Sequence, residues 1–90
     1  MNNAEIRQLR ILGGLLSSQK ERVADLVNHD KLRMSPQAIN FSKALMAGTG
    51  HLRSISNEHI NRVYERSFQN QDDSGEYALI AHVLKSEISK

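Results

Sequence analysis

Four histidines and one pair of adjacent aspartates are the residues of this chain best suited to metal binding or acid–base chemistry. The histidines are His29, His51, His59 and His82. None is four residues from another, which is the spacing that places two ligands on one helical face. Asp72 and Asp73 precede Ser74-Gly75, and aspartate in such a segment usually bonds to the backbone of a turn. We therefore expect neither a metal site nor a catalytic carboxylate pair.

The motifs of nucleophilic and phosphate-binding enzymes are missing from the sequence. The chain has no cysteine, which excludes thiol nucleophiles, thiolate metal ligands and disulfides. Ser17-Ser18 lacks the Gly-x-Ser-x-Gly elbow, and Gly48-Thr49-Gly50 lacks the Gly-Lys-Ser/Thr of a phosphate-binding loop. The sequence predicts a protein that is not an enzyme, with no cofactor and no small-molecule substrate.

Length and composition favour one small helical domain over residues 1–90. Apolar residues make up 39% of the chain, which is enough for one core, and the two Phe and two Tyr are its only aromatic residues. No segment has the period-two alternation of a strand, or the roughly 18–20 apolar residues of a membrane span. We predict an all-α, compact bundle of four to five short helices in a cytoplasmic protein that does not bind membranes.

Apolar residues at helical spacing place the first helix over about residues 4–16 and the second up to about residue 29. Gly13-Gly14 is expected to end or bend the first helix, or to mark a close contact between helices. Ser18 and Glu21 have the spacing of a capping box, which predicts the start of the second helix. The third helix is expected to end near Gly48 in a left-handed conformation.

The starts of the third and fourth helices share one pattern. Ser35 and Ser56 each precede a polar first turn and an Ile four residues on, so each is a predicted N-cap. The fourth helix should present Ile60, Val63, Tyr64 and Ser67 on one face. Asp73 or Ser74 is expected to cap the fifth helix, which has the most apolar sequence of the set.

The start of the third helix, Ser35-Pro36-Gln37-Ala38-Ile39-Asn40, resembles that of the recognition helix in repressor-type helix-turn-helix domains. The resemblance implies a DNA-binding element over about residues 21–47, in which Gln37 and Asn40 read base edges. Ser35 would contact phosphate, with Arg33 and Lys43 flanking it. However, the connection over residues 28–34 is longer than the 3–4-residue turn of those motifs and has no Gly. A DNA-binding transcriptional regulator is therefore the alternative prediction.

Apolar residues beyond one stripe per helix favour a protein-binding role instead. They lie on the first and fifth predicted helices, and the interface candidates are Leu12, Leu15, Leu16, Tyr77, Leu79 and Val83. The leading prediction is a small regulatory or adaptor protein that binds a protein partner or itself, as a homodimer. Charge is also unevenly distributed along the chain. Residues 1–53 carry eight Lys/Arg and four Asp/Glu, whereas residues 54–90 carry four Lys/Arg and six Asp/Glu.

Overall fold

The apolar periodicity of the sequence produces five α-helices and no strand in residues 1–50 and 52–90, which the computed structural model describes. The helices are α1 (Asn3–Ser18), α2 (Lys20–Asn28), α3 (Pro36–Met46), α4 (Asn57–Val63) and α5 (Glu76–Ile88). A π-helical turn (Tyr64–Phe68) and a 3-10 turn (Gln69–Gln71) continue α4. The predicted all-α bundle is confirmed. Within the described ranges, no helix is both long and apolar enough to cross a lipid bilayer.

Helix α1 begins at a side-chain cap and runs on past its glycine pair. The Asn2 side-chain oxygen accepts a hydrogen bond from the Glu5 backbone N–H at 2.9 Å. The helix does not end at Gly13-Gly14 but continues to Ser18. Gly13 instead marks a close contact with α5, since a Cβ built there would lie 2.7 Å from the Cβ of Glu87.

The buried apolar side chains form one cluster to which all five helices contribute. Its fully buried members include Leu9, Leu16, Val23, Phe41, Leu45, Ile55, Ile60, Ile80 and Leu84. Helices α1 and α5 pack against each other more extensively than any other pair. Ile55 joins the cluster from the connection between α3 and α4, where its N–H donates to the Leu16 carbonyl at 3.1 Å.

The boundary between α1 and α2 differs from the predicted capping box. Ser18 is the last residue of α1, and its hydroxyl donates to the Gly14 carbonyl at 2.8 Å. Gln19 is the N-cap of α2 and makes no side-chain capping bond. The prediction failed because the Ser18 hydroxyl bonds within the preceding helix and does not cap α2. A serine inside a helix can donate such a bond to the carbonyl one turn back.

Lys20 is a buried cation that the sequence analysis overlooked. Its side chain is 5% exposed. Its ammonium donates hydrogen bonds to two carbonyl oxygens, that of Thr49 and that of Leu52, the latter at 2.8 Å. Both carbonyls belong to the connection between α3 and α4. Because a buried ammonium needs acceptors, these two bonds attach that connection to the start of α2.

The serine caps of α3 and α4 are confirmed. The Ser35 hydroxyl accepts from the Ala38 N–H at 3.3 Å, and the Ser56 hydroxyl accepts from the His59 N–H at 3.2 Å. Gly48 has φ of +72°, as its predicted left-handed conformation requires.

The π-helical turn after α4 changes which residues face the core. The prediction that Ser67 shares a face with Ile60, Val63 and Tyr64 is wrong, because Ser67 is exposed and Phe68 packs against the core cluster instead. A π turn has a wider backbone repeat than an α-helix, which advances the buried face along the sequence. The Phe68 ring stacks on those of Phe41 and Tyr77, with centroids 5.2 and 4.3 Å away.

Helix α5 is capped mainly by Asp72. Of the two predicted caps, Ser74 accepts one long bond, from the Glu76 N–H at 3.4 Å, and Asp73 accepts none from the start of the helix. Gly75 occupies the N-cap position with φ of +74°. This turn brings the Asp72 carboxylate to the N–H groups of Tyr77 and Ala78, at 2.9 and 3.0 Å. Desolvation raises the pKa of Asp72, but these two bonds and one from the Tyr64 hydroxyl outweigh it and lower the pKa below its usual value.

Candidate protein-docking surface

A surface pocket of about 200 Å³ lies between α1 and the connection that follows α2. We call it the Ile11 pocket, and it is lined by Gln8, Ile11, Leu12, Leu15, Leu26, Lys31, Leu32, Arg33 and Met34. Ile11 is 56% exposed, the most exposed large apolar side chain of those the structure describes. Leu12 is buried and forms the floor.

Helix geometry places the α1 residues of this pocket. Ile11 and Leu15 are four residues apart, so they lie on the same helical face, one turn from each other. The fully buried α1 residues, Leu9 and Leu16, lie on the face that packs into the core. The Ile11 side chain therefore projects to one side of the core-facing stripe of α1 and is not part of that stripe.

The connection over residues 29–35 supplies the opposite side of the pocket. It turns at Asp30, which has φ of +53°, and the Lys31 N–H then donates to the Leu26 carbonyl at 2.8 Å. After this turn Leu32 and Met34 pack against the core cluster and also line the pocket, while Lys31 and Arg33 are exposed. Two cations and no carboxylate therefore border this apolar surface.

The six predicted interface residues do not form one surface. Leu12 and Leu15 line the Ile11 pocket, but Leu16 is fully buried in the core and has no surface to offer a partner. On α5, Tyr77 is half-buried in the aromatic cluster and Leu79 is 39% exposed. Val83 borders a separate polar cleft together with Arg10 and His82.

The five predicted DNA-binding residues have mixed environments. Ser35 is committed to its helix cap and Gln37 is half-buried. Asn40 is exposed, as is Lys43, whose ammonium lies 3.9 Å from the Asp30 carboxylate. Arg33 is exposed at the Ile11 pocket.

The histidines lie apart from one another. His29 pairs with Asp25 at 3.1 Å on the surface of α2, and the His59 ring nitrogen lies 3.0 Å from the Leu45 carbonyl. His82 is exposed on α5, and the prediction for His51 lies outside the described residues. Among residues 1–50 and 52–90, no three histidine or acidic side chains are grouped as metal ligands would be.

No family model matches the chain, and neither a curated protein nor a solved structure shows significant similarity to it. Any functional inference therefore depends on the surface itself. An apolar concavity with a protruding aliphatic side chain and a cationic rim can bury a partner's apolar side chains and pair with nearby carboxylates.

Sequence reasoning missed Ile11, Leu32 and Met34 as surface residues. In the sequence, Ile11 is one more apolar residue beside the stripe of α1, and Leu32 and Met34 lie in a connection between predicted helices. The available signal was that Ile11 does not fit the spacing of Leu9, Leu12 and Leu16. The pocket beside Ile11 depends on where the connection after α2 lies, which no local pattern specifies.

Proposed function

We propose that this protein is a non-enzymatic adaptor or regulator that binds a protein partner at the Ile11 pocket. The observation that carries the proposal is the 56% exposure of Ile11 beside a mainly apolar lining. Exposed aliphatic side chains are common singly, but one that protrudes next to an apolar concavity is typical of an interaction site.

The exposure of Ile11 supports a protein partner over a small-molecule ligand. A small-molecule site encloses most of its ligand, whereas this pocket of about 200 Å³ leaves Ile11 56% exposed at its edge. A partner's side chains would enter the pocket while Ile11 packs against the partner. Full burial of an isoleucine contributes about 1.5–3 kcal/mol, and about half of that remains to be gained at Ile11.

A DNA-binding role for α3 is the second candidate, because Arg33, Asn40 and Lys43 are exposed. The two roles differ in their response to salt. Neutralising several phosphates releases counterions, so DNA affinity falls by orders of magnitude between about 50 and 200 mM salt. A contact dominated by apolar burial changes much less.

Affinity capture from a lysate of the source organism, with nuclease and at 50 and 200 mM salt, tests the proposal. The variants are Ile11→Ser and its matched control Leu79→Ser, which removes an exposed leucine from α5. We expect Ile11→Ser to reduce recovery of one protein about tenfold, which corresponds to about 1.4 kcal/mol, whereas Leu79→Ser retains it. Circular dichroism should show that both variants are folded.

Two results would contradict the proposal. If Leu79→Ser abolishes recovery and Ile11→Ser does not, the contact belongs to α5. If nuclease or 200 mM salt abolishes recovery, and duplex DNA binds the purified chain, the role of α3 in DNA binding takes precedence.

A further inference from the structure

Two further depressions lie next to the Ile11 pocket and are linked to it through shared lining residues. It shares Leu26 and Leu32 with a small one that is also lined by Ile39. That depression shares Val27, Asp30 and Lys43 with a third of about 360 Å³, which extends to Met46 and Ala47 at the end of α3. We call the three together the long groove, which runs from Ile11 to Met46.

The long groove is lined mainly by apolar side chains, together with Gln8 and Asn28, and its charged rim is mostly cationic. Lys31, Arg33 and Lys43 border it, and the one acid among its lining residues is Asp30, which lies 3.9 Å from the Lys43 ammonium. The rim therefore carries a net charge of +2, since three cations face one carboxylate. A partner segment that carries negative charge next to its apolar side chains would therefore be favoured in the long groove.

From this combination we infer that the long groove binds an acidic amphipathic segment of a protein partner. This inference rests on the proposed function. One face of the segment places apolar side chains at Ile11 and at Met46, and its carboxylates face Lys31, Arg33 and Lys43. A helix of 14 residues is about 21 Å long, which fits within the 27–32 Å extents of the molecule. Apolar residues at i, i+3, i+4 and i+7 form one face of such a helix.

The same features disfavour two other occupants. In a two-fold symmetric dimer each residue of a contact patch meets the same patch of the other copy, which would bring the cationic rims together. The phosphates of a nucleic acid would pair with the cations of the rim, but its backbone would leave the aliphatic side chains of the groove without apolar contacts. Both remain outcomes that the experiment distinguishes.

The experiment titrates the ¹⁵N-labelled protein with three 14-residue peptides. The first has Leu at i, i+3, i+4 and i+7 and Glu at half of the other positions, the second has Lys in place of Glu, and the third is a scramble of the first. We expect the Glu peptide to bind at least tenfold more tightly than the other two. It should shift the amide resonances of both Ile11 and Met46.

Two double variants test the rim. Lys31→Glu with Arg33→Glu should weaken the Glu peptide about tenfold. Arg53→Glu with Arg66→Glu, an equal charge change at exposed residues outside the long groove, should leave its affinity within twofold. This control separates the rim from the overall charge of the protein.

Several outcomes would overturn the inference. They are equal binding of the scramble or the Lys peptide, shifts at Ile11 without shifts at Met46, competition by duplex DNA, and concentration-dependent dimerisation that Ile11→Ser abolishes. If the Glu peptide fails while partner capture still depends on Ile11, the inference fails and the proposed function stands. If capture does not depend on Ile11, the proposed function itself fails.

Discussion

Gly13 and Gly14 are adjacent in α1, yet the fold constrains them differently. A Cβ at Gly13 would lie 2.7 Å from the Cβ of Glu87 and 3.3 Å from the Leu84 carbonyl oxygen, whereas a Cβ at Gly14 has no neighbour within 4 Å. The Glu87 Cβ is fixed to the α5 backbone and cannot rotate away. Gly13 is therefore the residue that lets the two most closely packed helices approach.

Alanine at each glycine should consequently have opposite effects. We expect Gly13→Ala to destabilise the protein by about 1–3 kcal/mol, because α5 must move to admit a methyl group. Gly14→Ala should stabilise it by about 0.5–1 kcal/mol, because alanine loses less conformational entropy in a helix. Urea unfolding followed by circular dichroism measures both. A similar change in stability for the two variants would contradict the close α1–α5 contact.

At the scale of elements, Asp72 connects the π-helical turn to α5. It accepts hydrogen bonds from the Tyr64 hydroxyl and from two N–H groups at the start of α5. Its pKa is lowered in the folded state, so its contribution to stability is complete above the unfolded-state pKa, near pH 4. The contribution is lost as the pH falls through the lowered folded-state pKa.

Asp72→Asn tests this connection, with Asp73→Asn as the matched control. Asp72→Asn should be less stable than the wild type at pH 7, and the difference should shrink as the pH falls below about 4, because the wild-type carboxyl is then protonated. Asp73 is exposed and accepts none of these bonds, so Asp73→Asn should follow the wild type. Urea unfolding from pH 7 to pH 2.5 is the measurement. A difference that is independent of pH would show that the charge of Asp72 is irrelevant.

Elements with local signals were predictable from the sequence, and those that depend on distant packing were not. Ser35 and Ser56 cap their helices because the groups they bond lie three residues on, within the same pattern. Ser18 failed as a cap because α1 continues through it. Asp72 was overlooked as a cap because its acceptor role requires the turn at Gly75.

At the scale of the whole molecule, the sequence predicted the helical class and much of the core, but of the candidate site it indicated only Leu12 and Leu15 as interface residues. The helical spacing of Ile80, Ala81 and Leu84 places them on one face of α5, and all three are buried. By contrast, Leu12 and Ile11 are consecutive aliphatic residues whose exposures are 3% and 56%. Helix spacing accounts for that difference, but the pocket beside Ile11 depends on the path of the connection after α2, which only the assembled fold defines.

Because the buried side chains form one cluster, we expect the five helices to unfold together. Ile80 is fully buried whereas Leu79 beside it is 39% exposed, so the two form a matched pair.

Ile80→Asp places an unpaired carboxylate in the core at a cost of about 3–5 kcal/mol, in addition to the lost packing of the isoleucine. That total is comparable to the roughly 5–15 kcal/mol that stabilises a typical domain. We therefore expect Ile80→Asp to abolish the helical circular dichroism signal and amide dispersion together, and Leu79→Asp to retain both. Retention of a folded subset of helices in Ile80→Asp would show that the core divides into independent parts.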